Sequence, residues 1–166
     1  MAKSYKHGYS SLQIAFHWMV VVLVIGQILL GPAMSQVFEA LQHGEDVVSL
    51  GPAYVHIALG VVILAIMIAR FVTRERRPVT VAPESSHRWM AALGRLNHLA
   101  FYAMLFLIPV LGAIAWFGNS EAAGRLHSLG ISVLLILIAL HVSGAIVHYV
   151  MGENILTRMA RGTGGS

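Results

Sequence analysis

Cysteine is absent from this 166-residue chain. That excludes disulfides, iron–sulfur clusters and thiolate metal sites, and it leaves cysteine usage silent about the redox compartment. Charge is scarce as well: Asp, Glu, Lys and Arg make up 11% of the residues, against about 25% in an ordinary soluble domain. A soluble four-helix bundle carries charge at helical spacing on its outer faces. The runs VVVLVIGQILL (20–30) and ISVLLILIAL (131–140) carry none. No low-complexity tract and no sequence repeat is visible. The first apolar run is too long for a typical signal-peptide core, and no convincing cleavage site follows it, so it is expected to be a retained helix.

What is present is apolar: 57% of the residues are hydrophobic. Four segments, at about 12–31, 53–72, 92–117 and 126–151, have the roughly 20 residues needed to cross about 30 Å of hydrocarbon as a helix. The expected fold is an all-α membrane protein, a four-helix transmembrane bundle forming a single domain over 1–166. The polar, proline-containing stretch TRERRPVTVAPESSHRW reads as a loop between helices, and Pro109 is expected to kink the third span. The connection at 31–52 has room for a short surface helix around Gln36–Gln42.

Orientation follows from the basic residues. Lys3 and Lys6 precede the first span; Arg70, Arg74, Arg76, Arg77, Arg88 and Arg95 cluster between the second and third; Arg158 and Arg161 lie in the tail. The 31–52 connection holds Glu39, Glu45 and Asp46 and no basic residue, and the third connection holds Glu121 and Arg125. Ten of the eleven basic residues thus share one side, which places both termini in the cytoplasm. The net charge of +4 is a topology signal and gives no reason to expect nucleic acid. The arginine run reads first as an interface anchor.

Nine histidines in so apolar a chain are the oddity. His7, His43 and His87 fall in exposed segments. The fourth span, LHSLGISVLLILIALHVSGAIVH (126–148), carries His127, His141 and His148, spaced by multiples of seven. Fourteen helical residues advance about 21 Å and return to nearly the same face. His127 therefore lies in the outer leaflet and His141 in the inner, on one stripe. Each has a partner at matching depth, His56 with His127 outside and His17 with His141 inside. Two levels of paired neutral imidazoles are what two bis-histidine haems require, with no compensating charge needed. Two axial imidazoles leave no open coordination site, which favours electron transfer over oxygen binding. His98 and His148 both lie toward the inner side, and either is an alternative to His17 or His141. Gly60, Gly112, Gly130 and Gly144 would let a helix or a porphyrin face approach closely.

SLQIAFHW, AYVHIALGVVILAIMIARFVTR, NHLAFYAMLFLIPVLG and LHSLGISVLLILIALHVSGAIVHYV followed by ENILTRM, taken in order, resemble the bacterial cytochrome b561 family over essentially the whole chain. The resemblance implies a multi-pass protein of the bacterial inner membrane with two haem b groups and ubiquinone or another quinone as redox partner. Carried over by position, the axial ligands fall on His17, His56, His127 and His141. Where a basic residue often precedes the first ligand in the family, this chain has Ser10 and Ser11.

The expected function is a di-haem b-type cytochrome moving electrons between an outer-side donor, with superoxide one candidate, and the quinone pool. Arg70, Arg158 and His148 are candidates to pair with propionates or to assist proton uptake. The alternative keeps the haems but makes the chain a subunit that docks a partner dehydrogenase or hydrogenase. A haem-free carrier using histidines for protons or divalent metal would be expected to pair them with intramembrane Asp or Glu. No span holds one.

Overall fold

The structure is a computed structural model that describes residues 10–76 and 88–152. Four helices follow in order: α1 (Ser11–His43), α2 (Gly51–Arg76), α3 (Arg88–Phe117) and α4 (Glu121–Val150). Among the described residues there is no strand. Each helix contains a stretch long and apolar enough to cross a membrane: Ser11–His43, Gly51–Thr73, Ala92–Phe117 and Glu121–Val150. Large apolar side chains stand exposed along them, Leu29 at 76%, Leu99 at 66% and Ile136 at 62% among them. Apolar exposure on that scale in a folded protein marks a lipid-facing surface.

α1 begins at a capping box. Ser10 accepts a hydrogen bond from the Gln13 amide at 3.2 Å, and the Gln13 side chain accepts from the Ser10 amide at 3.0 Å. This gives the serine that departs from the family pattern a role of its own, satisfying donors that the first helical turn leaves unpaired. α1 then runs well beyond residue 31. It passes through Pro32 without interruption and ends at Gly44, whose φ of 69° is left-handed and whose amide closes the last turn. The segment expected as a separate surface helix is the continuation of α1. It packs rather than lies on the surface: Val37 is buried, Phe38 meets α4 at Gly124, and Gln42 donates to Asn119 at 2.6 Å.

α1 packs closely on α2, α3 on α4, and α2 more lightly on α3. The other three helix pairings approach only sparsely. The contacts between α1 and α4 run antiparallel, with His17 beside His141 and Phe38 beside Gly124. The start of α1 and the end of α4 therefore share one end of the bundle, the terminus side. The α1–α2 connection and the 118–120 turn share the other, the turn side. Of the basic residues that bear on which end faces the cytoplasm, Arg70, Arg95 and Arg125 have described side chains; Lys3, Lys6, Arg77, Arg158 and Arg161 lie outside the described residues.

The core is a layer across the middle of the bundle. Val20 and Val24 of α1, Ile63, Ile66 and Met67 of α2, Leu105 and Ile108 of α3, and Leu134 of α4 are buried against one another. Leu134 lies seven residues from His127 and seven from His141, so the histidine stripe of α4 continues through an aliphatic midpoint. In lipid such a layer contributes through dense packing rather than through escape from water. Gly130 permits the fit, because a Cβ there would come within 2.9 Å of Ile108.

Candidate functional site

Above and below that layer the helices bring histidines together across the sparse pairings. On the turn side, the ring centroids of His56 and His127 are 6.1 Å apart, with 65° between ring planes. On the terminus side, His17 and His141 are 6.4 Å apart at 54°. Two metal–imidazole bonds of about 2 Å each, plus a ring radius of about 1 Å on either side, put axial ligand centroids roughly 6 Å apart. Both pairs match that spacing. All four residues are half-buried. They join α4 to α1 and α4 to α2, the pairings whose backbones stay apart, so the rings reach across an interhelical gap.

The turn-side pair is set by hydrogen bonds. His127 donates from Nδ1 to the Ile108 carbonyl of α3 at 2.8 Å. A carbonyl can only accept, so the Nδ1 proton is fixed and the lone pair of a neutral ring sits on Nε2, free for a metal. Gly112 makes this approach possible: a Cβ there would stand 3.1 Å from the His127 ring. His56 is held differently, through its backbone. Its carbonyl accepts from Gln27 Nε2 at 2.9 Å, beside Gly60, where a Cβ would lie 3.3 Å from the same nitrogen.

The terminus-side pair is set by rings and a cation. Trp18 stands edge-on to His17 at 5.5 Å, and Phe101 edge-on to His141 at 5.5 Å. His98 lies 5.2 Å from His141 at 83° and donates from Nδ1 to the Gly94 carbonyl at 2.6 Å. That centroid distance is shorter than the spacing of either pair, and it places His98 of α3 directly beside His141. Arg70, expected as an interface anchor, buries its Nη1 without a hydrogen-bond partner, and so does Asn97 with its Oδ1. Arg70 sits one helical turn beyond the aliphatic layer on α2, and Asn97 about two turns beyond it on α3. His148 lies in the last turn of α4, half-buried, where the helix dipole favours a basic side chain.

Of the other residues singled out in the sequence, His43 is exposed at the end of α1, and His7, His87 and Arg158 lie outside the described residues. Gly60, Gly112 and Gly130 each relieve a close contact, whereas a Cβ on Gly144 would meet nothing within 4 Å. Gln27 and Asn97 escape sequence reading. The signal available for both is the same: an amide side chain inside or at the edge of an apolar span is costly unless it has work to do.

Among the described residues no group of three or more His, Cys, Asp or Glu could hold a metal ion. Ligation is offered in pairs, which suits an iron whose equatorial positions a porphyrin fills. Spanning helices with imidazole pairs at two levels describe the class of membrane haem cytochromes. The chain matches the prokaryotic cytochrome b561 family over residues 8–162, and it belongs to that family. Its relatives include the cytochrome b562 of Cereibacter sphaeroides, 29% identical over 155 residues that cover 93% of this chain and 96% of that protein. The probable superoxide oxidase CybB of Yersinia pestis is 27% identical over 173 residues, covering 91% and 94%. Family membership makes the chain a membrane electron-transfer cytochrome with haem b as its cofactor.

Proposed function

We propose that the chain is a di-haem b-type cytochrome of the bacterial inner membrane, carrying electrons between a donor on the outer side and the quinone pool. The observation that carries this reading is the presence of two imidazole pairs, at 6.1 and 6.4 Å, on opposite sides of one aliphatic layer. His56 and His127 hold the outer haem; His17 and His141 hold the inner one. When bound, the two haems supply reversible one-electron carriers at two depths. The terminus side faces the cytoplasm, in keeping with the ten basic residues on that side.

The protein's own groups differ at the two ends in ways that suit the two tasks. On the terminus side, Arg70 and Asn97 each present an unpartnered buried polar atom. They suit a haem propionate or a quinone headgroup. His98, its Nδ1 proton engaged, keeps a lone pair on Nε2 and is placed to relay protons during reduction of a quinone, which takes up two electrons and two protons. On the turn side the exposed charges are Glu39, Glu45, Asp46 and Glu121 against Arg125 alone, and Arg125 is paired with Glu121 at 2.9 Å.

Superoxide as donor rests on the likeness to the Yersinia protein. The acidic turn side favours a second reading, in which a partner oxidoreductase docks there, because a small anion would be repelled by it. Ionic strength separates the two: a repelled anion reacts faster as salt is added, whereas a docked basic partner transfers electrons more slowly. The central proposal is tested by a dithionite-minus-oxidised spectrum of purified protein with pyridine haemochrome quantitation. Two b haems per chain are expected. A colourless protein made with ample haem supply would overturn the reading.

A further inference from the structure

Four buried side-chain polar atoms among the described residues have no hydrogen-bond partner, and two of them belong to one contact: Gln27 Oε1 and His56 Nδ1. Gln27 already touches His56, donating from Nε2 to its backbone carbonyl at 2.9 Å. In an α-helix that same carbonyl accepts from the amide four residues on, here Gly60, so Gln27 adds a second donor through the space that the glycine leaves. The carbonyl can only accept, which fixes the amide orientation. Its oxygen is left over, an acceptor with nothing to accept.

His56 has the complementary shortage. This inference rests on the reading of His56 as an axial ligand: an imidazole bound through Nε2 carries its proton on Nδ1 and needs an acceptor there. Metal-ligating histidines almost always have one. His127 has the Ile108 carbonyl. For His56, the contact with Gln27 brings an unmatched acceptor to the residue that bears the unmatched donor. A buried donor or acceptor left unpaired is destabilising, so each atom has reason to find the other.

We propose that Gln27 is the positioning residue of His56. Its Nε2 clamps the backbone of α2 through the Gly60 gap, and its Oε1 accepts a hydrogen bond from Nδ1–H when the ring is metal-bound, directly or through one water. The bond makes the imidazole more basic, which stabilises ferric iron and lowers the potential of the turn-side haem.

The test uses purified holoprotein in detergent, with potentiometric titration of each haem and the rate of haem transfer to apomyoglobin. The turn-side haem is identified as the one lost in His127→Ala. Gln27→Leu should raise the turn-side potential and speed loss of that haem about tenfold, with the terminus-side haem unmoved. Gly60→Ala, which keeps the amide but crowds it, should shift the same quantities in the same direction by less. If both variants match the parent, or if either moves the two haems equally, Gln27 does not position His56. A His56→Ala protein that keeps two haems with parental spectra would instead remove the ligand reading beneath the proposal.

Discussion

The turn-side and terminus-side histidine pairs share one stripe of α4 and nearly equal ring spacings, yet they are held by different means. On the turn side the ring of His127 is tied to a backbone carbonyl, and His56 is tied through its own. Both ties pass through the space of a missing side chain, at Gly112 and at Gly60. On the terminus side, among the described residues, the rings of His17 and His141 are held by ring contacts rather than by hydrogen bonds. His17 and His141 are wedged by Trp18, His98 and Phe101, with Arg70 nearby on α2. Hydrogen bonds to ligand rings stabilise ferric iron, and a neighbouring cation stabilises ferrous iron. If both pairs hold haem as proposed, the two ends would bias the irons in opposite directions, toward a lower potential on the turn side and a higher one on the terminus side.

The comparison breaks most completely at the ligands themselves. His127→Ala should abolish the turn-side haem and leave the other, and His141→Ala should do the reverse, read as the haem-to-protein ratio and the surviving α-band. Loss of both haems from either variant would mean that the two sites do not form independently. Next in size is Gly112→Val. Its branched side chain cannot stand 3.1 Å from the His127 ring, and turn-side haem retention should fall about 10–100-fold, with the terminus-side spectrum unaltered. Arg70→Leu acts on the other end. For a separation of about 10 Å and an effective dielectric of about 20, losing the cation costs the ferrous state about 1.5 kcal/mol, seen as a lower terminus-side potential in a redox titration. The smallest effect belongs to Ser10→Ala. Removing the cap should destabilise the first turn of α1 by about 1 kcal/mol, visible as faster amide exchange there, with both haem spectra unchanged.

Much of this is legible in the residue order. Hydropathy runs mark four spans because each must satisfy its own backbone in lipid. The fourteen-residue interval between His127 and His141, set against the depths of His17 and His56, leads to the same ring pairs that the structure brings together. The length of α1 is not legible. Pro32 and the acidic residues after it look like an outer loop, and only packing of Val37 and Phe38 and the Gln42–Asn119 bond keep the chain helical. Arg70 reads as an anchor because its sequence neighbours are arginines, whereas the burial of its Nη1 is visible only in the folded bundle. Gln27 is the instructive omission. In a run without charge it looks inert, and its meaning comes from Gly60 and His56 on another helix.

The aliphatic layer between the two histidine levels has a consequence for the cell as a whole. No residue of the layer itself is polar or charged, and Leu134 with its neighbours from three helices fills the middle of the bundle. An ion stripped of water to cross such a layer faces a Born cost of tens of kcal/mol, and a proton finds no chain of donors and acceptors to hop along. A layer a few side chains thick thus opposes ion leak through the bundle, and on the proposed function electrons would pass between the two levels without an ion path beside them.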